Sequence, residues 1–407
     1  MLVTPSPRGP RIALLVCAVC LIAANMRATI TGVGPLLDQI ADDQGTTSAA
    51  LGALASVPLL TWAIVSPATH ALSTRFGMSR VVLWAMIALG AGTAWRSWPG
   101  ASVNLWLGTV LIGVALAVAN VLMPAVVKRD FGTRVPLMMA VYTALLGGVG
   151  AVASGVVVPI SQAVGGGSDG WRIALASTSA LLPIAIALWV WVIARSPHSP
   201  PARRTGAQPA ATTRRGSGIW TDTVAWQVAA YMGLQSSSFY MLVTWLAPFA
   251  ASHGRSAVTA GFDVMIFQVM GVIGSLAVPL ALRGRARRWV PAALPVGGVV
   301  AGIGLIVAPD ALTLWAACGG LAAGASLNMS LTLMAERARD PATSSALSGM
   351  SQSVGYLFAA AGPISFGALH ALDPGWTAPL LLLIAVLVAQ FAVGVAAGRD
   401  RFVLERR

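Results

Sequence analysis

Long apolar runs separated by short polar breaks fill this chain from residue 12 to residue 397. A helix needs about 20 mostly apolar residues to cross a bilayer. Runs of that kind predict twelve membrane helices, at 12–37, 48–72, 79–96, 102–127, 136–162, 172–194, 222–250, 256–282, 289–308, 311–335, 342–369 and 376–397. Most contain Gly or Pro, which membrane helices tolerate better than soluble ones do. The stretch 195–219 differs: it is rich in Pro, Ser, Thr and Arg and has no apolar period. It reads as a flexible linker. The expected organisation is a six-helix bundle at 1–194, a basic linker at 195–219, and a second six-helix bundle at 220–407 with a short tail.

Composition agrees with that pattern. Of 407 residues, 57% are apolar and 10% are charged, and the mean hydropathy is +0.78. Soluble domains carry about 25% charged residues. Arg8 and Arg11 followed by the apolar run 12–24 resemble a signal peptide, but no cleavage site follows, and the segment is read as a retained first helix. Cys17, Cys20 and Cys318 lie in apolar segments and are read as small helix residues rather than metal or redox ligands.

The net charge of +13 would point to nucleic acid in a soluble protein. Here the basic residues alternate from break to break. Twenty-two Lys and Arg fall in one set of breaks and three (Arg96, Arg172 and Arg255) in the other. The richer set marks the cytoplasmic side, which makes the helix count even and places both termini inside. These basic loops are expected to rest on anionic lipid headgroups.

The two halves also echo each other. Asn120 pairs with Asn328, Pro35 with Pro248, Pro67 with Pro279 and Trp171 with Trp376, at offsets of 205 to 213 residues. Such pairs fit a parallel duplication of six helices, related by an axis along the membrane normal. The fold class expected is therefore an all-α membrane protein with twelve transmembrane helices in two pseudo-symmetric six-helix bundles, the major facilitator arrangement.

Arg27 is the sharpest chemical signal. It lies deep in the first helix, where a charge costs several kcal/mol (about 2.5–3.5 on insertion scales) unless it faces a cavity or a partner. It is read as a binding-site cation for a polar or anionic substrate. The alternatives are a structural Arg that caps carbonyls at the break near Gly32, Gly34 and Pro35, or one paired with an acid. Asn25, Asn120, Tyr142, Gln235, Tyr240, Gln268, Asn328 and Gln352 are further polar residues deep in helices. Amides and phenols in hydrocarbon need partners, supplied by interhelical hydrogen bonds or by a polar cavity. As a set they are expected to line a substrate cavity. Asp263 is the intramembrane acid best placed to carry a proton, and its other reading is a solvated residue at the outer mouth. Glycines at 147, 148, 150 and 155, and at 355, 362 and 367, are expected to let helices approach closely. No P-loop, zincin or nucleophile-elbow motif is present, so neither ATP hydrolysis nor enzyme chemistry, cofactor or metal is expected.

Leu72, Arg75, Gly77 and Arg80 resemble a degraded major facilitator loop signature, with Thr74 where an acid normally stands. The ion pair that this loop usually makes is therefore not expected. More specifically, the chain resembles the cyanate and 2-nitroimidazole permease (CynX/NimT) family. The resemblance rests on Asn25, Arg27, Thr29, Thr31, Gly34 and Pro35; Gly113 through Asn120 to Pro124; Lys128, Arg129 and Asp130; Gln235 to Tyr240; Trp245 and Pro248; and Gly349, Gln352, Gly355 and Tyr356. It implies transport of cyanate-like anions or nitroimidazole-like heterocycles. The expectation is a monomeric secondary transporter of a bacterial plasma (inner) membrane, working by alternating access on a small-molecule substrate, with no nucleic-acid partner. Proton-coupled export of toxic metabolites or drugs is the alternative. A channel or a polytopic membrane enzyme is remote, because the acids are scattered and no His joins them.

Overall fold

The computed structural model describes residues 9–131, 135–195, 218–283, 286–339, 341–372 and 375–405. Among them the regular structure is helical: fourteen α-helices and a few short 3-10 turns. They are α1 (Gly9–Thr31), α2 (Leu37–Gln44), α3 (Ser48–Phe76), α4 (Met78–Arg96), α5 (Val103–Phe131), α6 (Val135–Ala163), α7 (Gly167–Ser177), α8 (Leu182–Arg195), α9 (Thr223–Ser252), α10 (Ala257–Ala281), α11 (Val290–Val307), α12 (Leu312–Glu336), α13 (Pro341–Leu372) and α14 (Thr377–Ala397). Two spans are each built from two helices, α1 with α2, which runs past the expected end at 37, and α7 with α8, so the helices make twelve passes among the described residues. Of the expected linker, 196–217 lies outside the described residues.

Proline chemistry explains both broken spans. Pro35 has no N–H to offer the Thr31 carbonyl one turn back, and α1 ends in a 3-10 turn at Gly34–Leu36 rather than continuing to 37. The Val33 N–H turns to the Ile30 carbonyl at 3.2 Å, which also frees the carbonyl of Thr29. Pro183 likewise leaves the Ser179 carbonyl without its helical donor. There the Ser177 and Thr178 hydroxyls bond carbonyls three residues back, at 2.7 and 2.6 Å. The two breaks meet, since a Cβ on Gly32 would lie 3.4 Å from Thr178 Cγ2.

Among the described residues, eleven stretches are long and apolar enough to cross a membrane, and α9 is not among them. It has 30 residues, about 45 Å of helix, so length is not the reason. Gln235, Ser236, Ser237, Ser238, Tyr240 and Thr244 dilute its hydropathy, and all six are buried. A helix enclosed by other helices needs no lipid-compatible surface.

Trp62, Trp189, Trp245 and the α6–α10 and α3–α13 packing sit in one large core that includes both bundles. The bundles meet toward the end that carries the α2–α3 and α9–α10 loops. There a Cβ on Gly34 would lie 2.5 Å from the Val243 carbonyl oxygen, and one on Gly261 2.9 Å from that of Ser154. Ser56 donates to the Ala360 carbonyl at 2.7 Å, and Gln268 to the Ser154 hydroxyl at 2.6 Å. At the opposite end, Ile219, Val228, Tyr231, Leu333 and Val403 form a separate core made, among the described residues, of the second bundle alone. The protein is thus closed at the first end, called the closed end below. Of the glycines expected to let helices approach, Gly155 faces Met265, Gly355 faces Met232 and Gly362 faces Ser237, whereas a Cβ on Gly148 would meet nothing within 4 Å.

Candidate functional site

Arg27 sits about one turn before the end of α1. Its room comes from α6, where a Cβ on Gly150 would lie 2.7 Å from Arg27 Cγ. The guanidinium donates to the Tyr240 hydroxyl at 3.4 Å. It lies over two rings of α9, 5.3 Å from the Phe239 centroid and 5.9 Å from that of Tyr240. Among the described residues no carboxylate pairs with it. The half-buried cation is therefore held by aromatic faces and one hydroxyl.

The aromatic enclosure extends across the bundle interface. Trp62 of α3 meets Tyr240 edge-on at 6.5 Å and Tyr356 of α13 at 5.1 Å. Phe239 packs on Tyr240 at 5.2 Å and on Phe267 of α10 at 5.6 Å. The indole N–H of Trp62 is buried and has no hydrogen-bond partner among the described residues. A buried donor left unpaired costs about 1–3 kcal/mol. Donors exceed acceptors here, so the site is complementary to a small molecule that brings hydrogen-bond acceptors and presents a flat face or a negative charge.

A second cation explains why Arg27 is available. Arg96, at the end of α4, is 1% exposed and donates to the Thr29 carbonyl at 2.8 Å. The other carbonyl at the break, that of Thr31, accepts from the Ser154 hydroxyl at 3.1 Å. The cap that the sequence left open for Arg27 is made by Arg96 and Ser154. Arg96 was counted with the loop cations, and its place in the last turn of a helix, beside a polar break, hid its burial. Gly108 makes its approach possible: a Cβ there would lie 2.6 Å from Arg96 Cα.

The cluster around Arg27 thus joins side chains of both bundles. The Major Facilitator Superfamily profile matches residues 16–363. The chain belongs to that superfamily. It is similar to the 2-nitroimidazole transporter of Escherichia coli strain K12, with 34% identity over 404 residues, 98% of this chain and 99% of that protein. It is also similar to the cyanate transport protein CynX of the same organism, with 28% identity over 354 residues, 87% of this chain and 89% of that one. Among solved structures, a bacterial homologue of the human lysosomal transporter Spinster superposes with a TM-score of 0.82 at 14% identity, over 98% of this chain and 100% of that chain. The superfamily member described here is thus a multi-pass membrane transporter of the CynX/NimT type, with a small-molecule substrate, and not an enzyme.

The other sequence-selected residues of this facilitator fall into distinct settings. Tyr240 contacts Arg27 directly, and Tyr142 is buried with its hydroxyl on Met26 Sδ at 3.6 Å. Gln352 is half-buried one turn from Tyr356 and donates to Ser348 Oγ at 2.9 Å. Asn120 is half-buried on α5 and makes no side-chain hydrogen bond among the described residues. Gln235 accepts from Ser236 Oγ at 3.2 Å. Asn25 turns back on its own helix, to the Leu21 carbonyl at 2.7 Å. Gln268 bridges the bundles to Ser154. Asn328 joins α12 to α10 through the carbonyl of Ser275 at 2.9 Å. Asp263 is 1% exposed rather than solvated, paired with Arg255 at 2.8 Å and bonded by Thr313 at 2.7 Å. Trp62, Phe239 and Tyr356 were not selected, because a lone aromatic in a membrane helix reads as core until its neighbours are known.

Proposed function

We propose that this chain is a secondary active transporter of a bacterial plasma membrane that moves a small, planar, acceptor-rich molecule. A cyanate-like anion or a nitroimidazole-like heterocycle fits the description. The observation that carries the reading is Arg27: an intramembrane cation with no acidic partner among the described residues, stacked on Phe239 and Tyr240 beside the unpaired N–H of Trp62. A charge in that position is costly unless something compensates it, and a bound acceptor does so. The 2-nitroimidazole and cyanate transporters, as relatives, support the substrate class. Arg27 attracts the substrate, Tyr240 and Trp62 orient it, and Phe239 and Tyr356 cover its flat faces.

Alternating access then comes from rocking of residues 1–194 against residues 220–407, joined by the basic linker at 195–219, in a monomer. With the basic breaks and both termini on the cytoplasmic side, the closed end faces outward and the conformation described is inward-facing. The aromatic enclosure also favours a second reading, export of a neutral heterocycle. Counterflow into proteoliposomes separates the two. Wild type exchanges labelled cyanate or 2-nitroimidazole with saturation, and Arg27→Ala abolishes exchange while remaining in the membrane. Normal exchange by Arg27→Ala contradicts the proposal. Loss of cyanate exchange alone leaves the heterocycle-export reading standing.

A further inference from the structure

At the closed end a vestibule of about 330 Å3 lies between the bundles, beyond the Gly34–Val243 contact. Its volume is at the lower end of the about 300–1,000 Å3 typical of small-molecule sites. Asp38 and Ser48 line it from the first bundle, and Trp245, Pro248, His370 and Trp376 from the second.

The second-bundle wall is aromatic. The His370 imidazole stacks on the Trp376 indole with centroids 4.0 Å apart and planes 19° apart. Trp376 is braced edge-on by Trp245 at 6.3 Å and by Phe249 at 5.4 Å. His370 Nδ1 is buried without a hydrogen-bond partner among the described residues. The opposing wall carries one carboxylate, Asp38, whose Oδ1 accepts from Ser48 Oγ at 2.5 Å. Among the described residues no basic side chain pairs with Asp38.

This chemistry is the inverse of the central site. There a cation waits for acceptors; here a fixed anion waits for a donor, opposite an aromatic surface that stacks planar rings. We propose that the vestibule is a second binding site, specific for a planar nitrogen heterocycle with an N–H donor, neutral or cationic. The ring packs against the Trp376–His370 stack, and its N–H points to Asp38. An anion is repelled by the same carboxylate. Because the vestibule lies beyond the closed contacts, it is occupied while the central site is sealed from that end. It goes beyond the Arg27 reading and does not depend on it.

The test uses the full-length protein in nanodiscs, with benzimidazole as the N–H probe and benzoate as its anionic counterpart, titrated by saturation-transfer NMR. Benzimidazole is expected to bind wild type and Arg27→Ala alike. Asp38→Asn and Trp376→Leu are each expected to weaken it at least 5-fold. Asp38→Lys is expected to reverse the preference, toward benzoate. Asp38 is exposed, so its variants keep the test decisive if Trp376→Leu fails to fold. Benzimidazole binding unchanged in Asp38→Asn and Asp38→Lys would overturn the proposal. So would its loss in Arg27→Ala, which assigns the probe to the central site. Neither outcome bears on the counterflow test of Arg27.

Discussion

Gly34→Ala is a one-methyl perturbation of the closed end. The added Cβ would lie 2.5 Å from the Val243 carbonyl oxygen and 3.2 Å from that of Thr244. Relaxed carbon–oxygen contacts fall at about 3.3–3.6 Å, so the 3-10 turn and α9 must separate by roughly 0.8 Å. Gly34 is absent from the glycines with positive φ, so alanine suits its backbone and the cost is steric. Overpacking of this size costs about 1–3 kcal/mol. Only the conformation in which the two bundles touch at this end bears that cost. The equilibrium therefore moves about 5- to 150-fold toward the form open at that end. Spin labels at Ser48→Cys and Ser252→Cys, in a background lacking the native cysteines, report the separation across the gap by double electron–electron resonance. Wild type is expected to give mainly the short distance and Gly34→Ala mainly a longer one. Gly349→Ala, where the added Cβ meets nothing within 4 Å, is the control and leaves the distribution unchanged. An unchanged distribution in Gly34→Ala refutes the assignment of this contact as the point of closure.

Two further outcomes follow from the polar residues. Asp263→Asn takes the carboxylate from Arg255, which keeps Thr313 and the Asp310 carbonyl as acceptors, and thermal unfolding in detergent should show a loss of about 2–3 kcal/mol, below the 3–5 kcal/mol of fully buried pairs because the Arg255 side chain is still 22% exposed. If Asp263 is a structural pin of this kind, the pH dependence of transport survives the substitution; its disappearance would make Asp263 the proton carrier. Ser154→Ala and Gln268→Leu should couple in a double-mutant cycle by about 0.5–1.5 kcal/mol, since their 2.6 Å hydrogen bond joins the bundles; strictly additive effects on unfolding would deny the bridge.

The passes through the membrane were legible in the chain because an apolar run of bilayer length has few other uses. Even α9, whose polar residues thin its hydropathy, is among the expected spans, at 222–250. Arg27 was legible for the opposite reason, since a charge inside hydrocarbon demands an explanation. What the sequence could not assign was the partner of each polar group. Asn25, Gln268 and Asn328 look alike in a helical run, yet one bonds its own helix, one bridges the bundles and one joins α10 to α12. Arg96 was hidden because a cation at a helix end next to Ser97 and Gly100 has the pattern of a loop. The carbonyl that it caps lies 67 residues away at a break in another helix, and only the fold brings the two together. The same holds for Trp62, Phe239 and Tyr356, whose meaning lies in their distances from Arg27 and from one another.

The central claim is that Arg27 and its aromatic enclosure bind a planar, acceptor-rich substrate, and a thermal-shift screen of the purified protein tests it most directly. A ligand that binds the folded state alone stabilises it by about 2.7 kcal/mol at one hundred times its Kd. Small anions and nitroimidazoles are expected to raise the unfolding temperature of wild type, and anions are expected to leave that of Arg27→Ala unchanged. Equal stabilisation of wild type and Arg27→Ala by the anions would contradict the account.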